Sequence, residues 1–203
     1  MTPARDPQPD APRPGRPRDR GTHAEVLAVT RRMLLETGYR GLTFDAVATA
    51  AGTTRSTLYR WWPTRGSLVL EATAEHLSIE RVPDTGNSRD DIRTAIRQLI
   101  VAFSDPLTRI VILAAISGLD GDPELAAAFR ELFVYPWRAS AADALQRGVD
   151  RGELPHGSDL GFLLNVIVGT VFQSTITVAE PATQGLEEAL VELILGPRRS
   201  GAR

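Results

Sequence analysis

The stretch TFDAVATAAGTTRSTLYRWWPTRGSLVLEA, from Thr43 to Ala72, holds two short helical patterns separated by one glycine and closed by one proline. Thr43 can cap a helix whose Phe44, Val47, Ala48 and Ala51 recur on one side at helical spacing. Gly52 supplies the permissive backbone that a tight turn needs. Thr54 then caps a second helix in which Leu58 and Trp62, four residues apart, face inward. Arg55, Ser56, Thr57, Tyr59, Arg60 and Trp61 are left largely outward. Pro63 stops that helix, and a further one is expected from Thr64 to about Glu80.

A short helix, a Gly-containing turn and a second short helix with polar outward residues are the parts of a helix-turn-helix. The major groove of DNA admits one helix, and such a motif sets its second helix there while the first braces the backbone. At these residues the chain closely resembles the TetR family of regulators. The shared pattern is a Thr-initiated helix (Thr43), an Ala-Gly turn (Ala51-Gly52), a Thr-Leu-Tyr core (Thr57-Leu58-Tyr59) and an aromatic pair (Trp61-Trp62). Pro63, Thr64 and the basic Arg65 follow. The resemblance runs from Thr22 to about Ala74. It departs at Thr53, where an apolar residue is usual, and at Trp61-Trp62, bulkier than the common Tyr-Phe.

The resemblance implies an all-α chain of about nine helices: an N-terminal three-helix DNA-binding domain followed by a helical bundle for ligand binding and dimerisation. By resemblance and outward placement, Arg55, Ser56, Thr57 and Arg60 are expected at base edges, where arginine can hold guanine through two hydrogen bonds. Thr43, Tyr59, Trp61 and Arg65 are expected on phosphate and sugar, with Thr54 part of the same surface. For Trp61, simple packing is the competing reading.

Outward from the motif, Thr22 and Glu25 form a capping-box pattern for a first helix with Val26, Leu27, Thr30, Met33 and Leu34 on its apolar face, ended by Gly38. Residues 1–20 are rich in proline and arginine and are expected to be a disordered arm. Its Arg13-Pro-Gly-Arg-Pro-Arg18 core suits a solvated tail that adds nonspecific affinity, the preferred reading, or a segment lying in a narrow A·T-rich minor groove. Charge is divided along the chain. Met1 to His76 carries 11 arginines against 8 acids, and Leu77 to Arg203 carries 12 against 17. A basic end beside an acidic body is the pattern of a DNA reader.

Pro83 to Asn87 reads as the loop that separates a DNA-binding domain, 21–82 with its linking fourth helix, from a body, 83–196; residues 197–203 are expected to be a disordered tail. Helices are expected from Asp90 to Ser104, from Pro106 to Leu119, and from Pro123 to about Arg151 with Pro136 kinking or splitting the last. Two more run from Ser158 to about Ala179 and through Leu186 to Leu195. The segments DPELAAAFRELFVYPWRA and ALQRGVDRGELPHGSDL look like one TetR subgroup. The 159–179 helix is apolar nearly all round, and with the last helix it is expected to form a homodimer face through Phe162, Val166, Gly169, Leu190 and Ile194. A pocket for a small apolar or amphipathic ligand is expected among Phe103, Ile110, Leu113, Phe133, Trp137, Asn165 and Gln173, with ordinary packing as the competing reading for each.

Other classes are disfavoured. No cysteine means no disulfide and no thiolate metal site, and no N-terminal stretch looks like a signal peptide, so a cytoplasmic protein is expected. The 160–178 segment is interrupted by Gly161, Asn165, Gly169 and Gln173 and is read as an interface helix rather than a membrane span. All 23 basic residues are arginine, which removes Schiff-base and P-loop lysine chemistry. His23, His76 and His156 are scattered and there is no nucleophile elbow, so neither an enzyme nor a metal or cofactor site is expected. The remaining alternative is an architectural binder of DNA without sequence preference. Palindromic operator binding, repression and release by a ligand acting through helix 4 follow from the resemblance.

Overall fold

The computed structural model describes residues 18–78, 80–117, 122–178 and 185–197, and the regular structure among them is all helical, with no strand. The helices are α1 (Arg18–Gly41), α2 (Phe44–Ala50), α3 (Arg55–Trp61), α4 (Arg65–Leu77), α5 (Ser88–Ser104), α6 (Pro106–Ser117), α7 (Pro123–Phe129), α8 (Tyr135–Asp150), α9 (Leu160–Phe172) and α10 (Leu186–Leu195). A π-turn, Arg130–Val134, joins α7 to α8, and a second, Gln173–Thr177, extends α9. The all-α expectation holds. Of the tails, residues 1–17 and 198–203 lie outside the described residues, but α1 already includes Arg18 to Arg20, which had been placed in the disordered arm. Arg18 opens the first stretch free of proline, where nothing opposes a helix.

Threonine caps set the N-terminal helices. Thr43, Thr54 and Thr64 each accept a hydrogen bond from the backbone N–H three residues on, at 3.2, 3.2 and 3.1 Å, and Ser67 answers Thr64 to complete a capping box. Gly52 adopts φ +62, which a side chain would resist, so the α2–α3 turn requires glycine there. Gly38 breaks the helical dihedrals of α1 at φ +68, and one more turn follows it through Tyr39. α4 stops at Leu77 rather than Glu80, because Ser78 is extended and Val82 N–H bonds the Ser140 hydroxyl of α8 at 2.7 Å.

α5 and α6 meet at 87° at Asp105, whose carboxylate accepts from Thr108 N–H at 2.8 Å and from His76 at 3.2 Å. The break expected at Pro136 takes the form of the π-turn: Tyr135 N–H reaches back to Arg130 C=O, so Pro136 falls in the first turn of α8, where no N–H is needed. α9 is capped by Asp159, which accepts from Phe162 N–H at 2.9 Å, one residue later than the expected Ser158.

One core runs through both halves of the molecule, from Val26, Leu34 and Leu58 through Leu68 and Ile96 to Trp137 and Val171. Fully buried Asp91 at the start of α5 accepts from the Thr85 N–H at 3.0 Å, the Thr85 hydroxyl at 2.6 Å and Arg147 at 3.4 Å, fastening the 83–87 loop against α8. Burial works against its charge, but these bonds outweigh it and hold the carboxyl below its ordinary range. The helical run Leu160–Thr177 is long and apolar enough by length and composition to cross a membrane, and only 22% of it is buried within the chain.

Candidate nucleic-acid interface

α3 stands out from the N-terminal helices with Leu58 fully buried beneath it and Arg55, Ser56, Tyr59 and Arg60 exposed. Its far end is pinned: Trp62 is buried and its indole N–H donates to Glu71 of α4 at 2.6 Å. Glu71 also pairs with His23 of α1 at 3.1 Å, and the His23 ring lies 4.8 Å from Trp62. A buried indole needs an acceptor, and this one ties the end of α3 to α4.

On the exposed face, Arg55 is engaged twice. Its guanidinium meets Asp45 of α2 at 3.0 Å and donates to the Tyr59 hydroxyl at 3.0 Å, 5.3 Å from the ring centroid. The bond to Tyr59, with Asp45 behind it, raises the arginine's pKa further above its ordinary value. Tyr59 packs edge-on against Phe44 at 4.6 Å, which fixes the pair's direction. Thr54, Ser56 and Thr57 form a hydroxyl cluster with both partners 2.9 Å from the Thr54 oxygen. Thr43 accepts its cap bond and keeps its own proton to donate. The sequence-predicted residues Thr43, Thr54, Arg55, Ser56, Thr57, Tyr59 and Arg60 thus share one end of the molecule.

Trp61 and Arg65 sit differently. Trp61 is half-buried, 5.2 Å from His23 and 5.4 Å from Trp62, with Arg60 5.8 Å over its ring. Arg65 is half-buried, 4.0 Å over the ring of Tyr39 and 3.4 Å from the Leu42 carbonyl. Tyr39 in turn donates its hydroxyl to Asp122 in a short hydrogen bond. Burial first, then that bond, pushes the hydroxyl far above a tyrosine's ordinary pKa, so it stays a donor. The other Asp122 oxygen caps α7 through Leu125 N–H at 2.9 Å. A side chain at Gly66 would come within 3.0 Å of Asp122 and 3.1 Å of Leu125 Cβ, so α4 lies almost against α7. Nothing local in the sequence marks Glu71, Tyr39 or Asp122 as partners, because each pairing joins helices distant in sequence or in kind.

The same α7 helix and π-turn wall a cavity of about 340 Å³ in the body. Phe103, Phe129, Phe133, Trp137 and Phe172 line it, with Phe129 and Phe133 stacked at 5.1 Å. Of the expected pocket residues, Phe103, Phe133 and Trp137 are there, and Ile110, Leu113, Asn165 and Gln173 are not. α6 is rotated from the expected phase, so that Ile112, Ala115 and Ile116 reach the cavity wall and Leu113 is 48% exposed. Asn165 is taken by Arg138 at 3.0 Å, and Gln173 is exposed in the π-turn.

The expected dimer face is also corrected in part. Phe162 and Gly169 are exposed and Val166 half-buried, but Leu190 and Ile194 are buried in the chain's own core at 3% and 8% exposure. α10 turns the opposite stripe outward, with Ala189 exposed and Leu193 70% exposed. Among the described residues no cluster of histidine and carboxylate could hold a metal ion.

Two family models match. Residues 26–72 fit the bacterial regulatory proteins of the tetR family, and residues 82–194 fit the tetracyclin repressor-like C-terminal domain. The chain is 35% identical over 191 residues to the uncharacterized HTH-type transcriptional regulator Rv1556 of Mycobacterium tuberculosis, covering 94% of this chain and 92% of that protein. It is 27% identical over 183 residues to the DNA-binding transcriptional repressor TetR of Mycobacteroides abscessus, covering 89% and 95%. The crystal structure of TetR family transcription regulator SCO0332 superposes with a TM-score of 0.60 at 32% identity, over 88% of this chain and 99% of that one. The structure of AibR with isovaleryl coenzyme A and operator DNA shares the fold, with a TM-score of 0.62 at 17% identity over 87% and 99%. Two short threonine-capped helices about Gly52, the second pinned through Trp62, and a helical body, matched by both family models and by these relatives, place this chain in the TetR family of helix-turn-helix, DNA-binding transcriptional regulators.

Proposed function

We propose that the protein is a repressor that binds a palindromic operator as a homodimer in the cytoplasm and leaves it when a small molecule occupies the body. The observation that carries this reading is the fastening of α7, a cavity wall, to the DNA-binding helices through Asp122 and Tyr39. Arg55, Ser56, Thr57 and Arg60 read bases, with Thr43, Thr54 and Tyr59 on the phosphates. Arg65 and Trp61, bound into the protein, position the helices, and Arg65 lends its charge to the backbone contact. Ligand in the cavity displaces α7, Asp122 carries the shift to Tyr39 and α4, and Glu71 passes it to α3, changing the spacing of two recognition helices. A repressor of known DNA binding among the relatives, and a fold neighbour solved with both ligand and operator, support the reading. The dimer face is the open side of α9 and α10, with Phe162, Val166, Gly169, Ala189 and Leu193; the exposed apolar run there is what a second copy would cover.

The test is a gel shift with the DNA upstream of the protein's own gene against a scrambled duplex of the same length. Preference for the natural sequence that persists as salt is raised supports the reading. Equal binding to both, lost together with salt, would identify an architectural binder instead.

A further inference from the structure

The cavity's wall is aromatic and aliphatic except for two residues, Arg130 at the π-turn and Arg138 in α8. No acid lies on it. Many of the body's other arginines meet a carboxylate: Arg93 meets Asp90, Glu187 and Glu188, Arg97 meets Glu187, and Arg147 and Arg151 meet Asp84 and Asp91. Among the described residues Arg130 and Arg138 face no carboxylate. Arg138 has only the neutral amide oxygen of Asn165, at 3.0 Å. The other polar atom at the wall, the Trp137 indole N–H, is already spent on the Ala95 carbonyl at 3.2 Å. The site therefore presents an apolar slot bordered by two guanidinium groups, the exposed Arg130 and the half-buried Arg138, with no carboxylate of its own.

A guanidinium beside an apolar enclosure is stabilised by an anion that the enclosure brings close, and it binds a carboxylate through paired hydrogen bonds. A volume of about 340 Å³ lies at the small end of ligand sites. We propose that the cavity takes a small aryl-alkyl or medium-chain carboxylic acid, its apolar part among Phe103, Phe129, Phe133 and Phe172 and its carboxylate on Arg130 and Arg138. This rests on reading the cavity as the regulatory ligand site. It adds the sign of the charge and a compact size. Because Arg130 belongs to the π-turn that continues α7, the carboxylate would pull on the same helix that Asp122 ties to Tyr39.

The test titrates the full-length protein by calorimetry with three matched probes: 4-phenylbutyrate, 4-phenylbutanol and 4-phenylbutylamine. Arg130→Met and Arg138→Met, which keep an apolar stem, are titrated alongside, singly and together, after circular dichroism shows that they fold. The expected order is acid over alcohol by about tenfold or more, with the amine weakest, and the double variant binds acid and alcohol alike. An alcohol that binds wild type as well as the acid, or a preference that survives the double variant, overturns the assignment of a carboxylate while leaving a ligand cavity standing. If none of the three binds wild type, the cavity reading falls and the carboxylate with it. Should the double variant not fold, the single variants decide by the same acid-to-alcohol ratio.

Discussion

Arg55 meets DNA already engaged, held between Asp45 and the Tyr59 hydroxyl. Arg55→Ala is expected to weaken operator binding roughly 5- to 150-fold, measured by fluorescence anisotropy, without lowering the melting temperature, since the side chain is exposed. Tyr59→Phe removes the hydroxyl that orients the guanidinium and is expected to act in the same direction with a smaller effect. Operator affinity unchanged in both variants would remove α3 from the reading role. Asp91 illustrates the opposite case, a charge that serves the fold. Asp91→Asn is expected to cost about 3 kcal/mol in chemical denaturation at pH 7, because it leaves Arg147 and Arg151 around a neutral amide. A carboxyl held below its ordinary pKa contributes stability above that ordinary value, about 4, and loses it as the pH falls through the lower folded value. The gap between wild type and Asp91→Asn should therefore be constant near neutrality and close only in acid. The outward residues of α3 were legible in the sequence because helical period and threonine caps are local signals. Tyr39 and Asp122 were not, because a hydrogen bond between residues 83 apart leaves no pattern along the chain; nor was Glu71, whose bond to Trp62 crosses the break between two helices, where helical period is lost.

At the scale of helices, the contact of α4 with α7 makes the sharpest demand. A methyl at Gly66 would press on the Cβ of Leu125 and on the Asp122 carboxylate oxygens, which Tyr39 and the Leu125 N–H hold in place. Gly66→Ala is expected to destabilise the fold by about 1–3 kcal/mol, read as a lowered thermal midpoint; a midpoint equal to wild type would show that the two helices separate freely. Tyr39→Phe cuts the link without adding bulk. It is expected to leave DNA binding near wild type while reducing the release of DNA by ligand, read as a rightward shift of the ligand dose that halves the gel-shifted band. Identical dose curves would dismiss Asp122 as the connection. The position of α7 was readable from Asp122-Pro123, a cap and a first-turn proline. The π-turn was readable only as trouble at Pro136. What escaped was rotation: Leu113 was expected to line the pocket and Leu190 to lie on the dimer face, but an apolar residue at helical spacing does not say which neighbour covers it. α6 turns Leu113 to solvent and α10 turns Leu190 to the core.

For the molecule as a whole, the open question is what covers α9 and α10. Phe162, 62% exposed, and Leu193, 70% exposed, leave an apolar surface that a monomer would show to water. The double variant Phe162→Asp, Leu193→Asp is expected to run as a monomer in light scattering and to bind operator DNA at least tenfold more weakly, since one recognition helix then acts alone. A double variant that remains dimeric would move the interface elsewhere. Both residues lie on the solvent side of their helices, so the monomer should keep its helical content.

The pairing of Arg55 with Asp45 bears on how such a protein finds its site. Along ordinary chromosomal sequence the guanidinium has a resident carboxylate to hold, so it has little reason to grip each passing base. Only a base edge that outbids Asp45 can draw it out, and the protein would then slide quickly over everything else and stop at few places. Asp45→Asn should reverse that economy: tighter adhesion to arbitrary duplex, slower one-dimensional search in single-molecule tracking, and a narrower margin between the correct sequence and its neighbours.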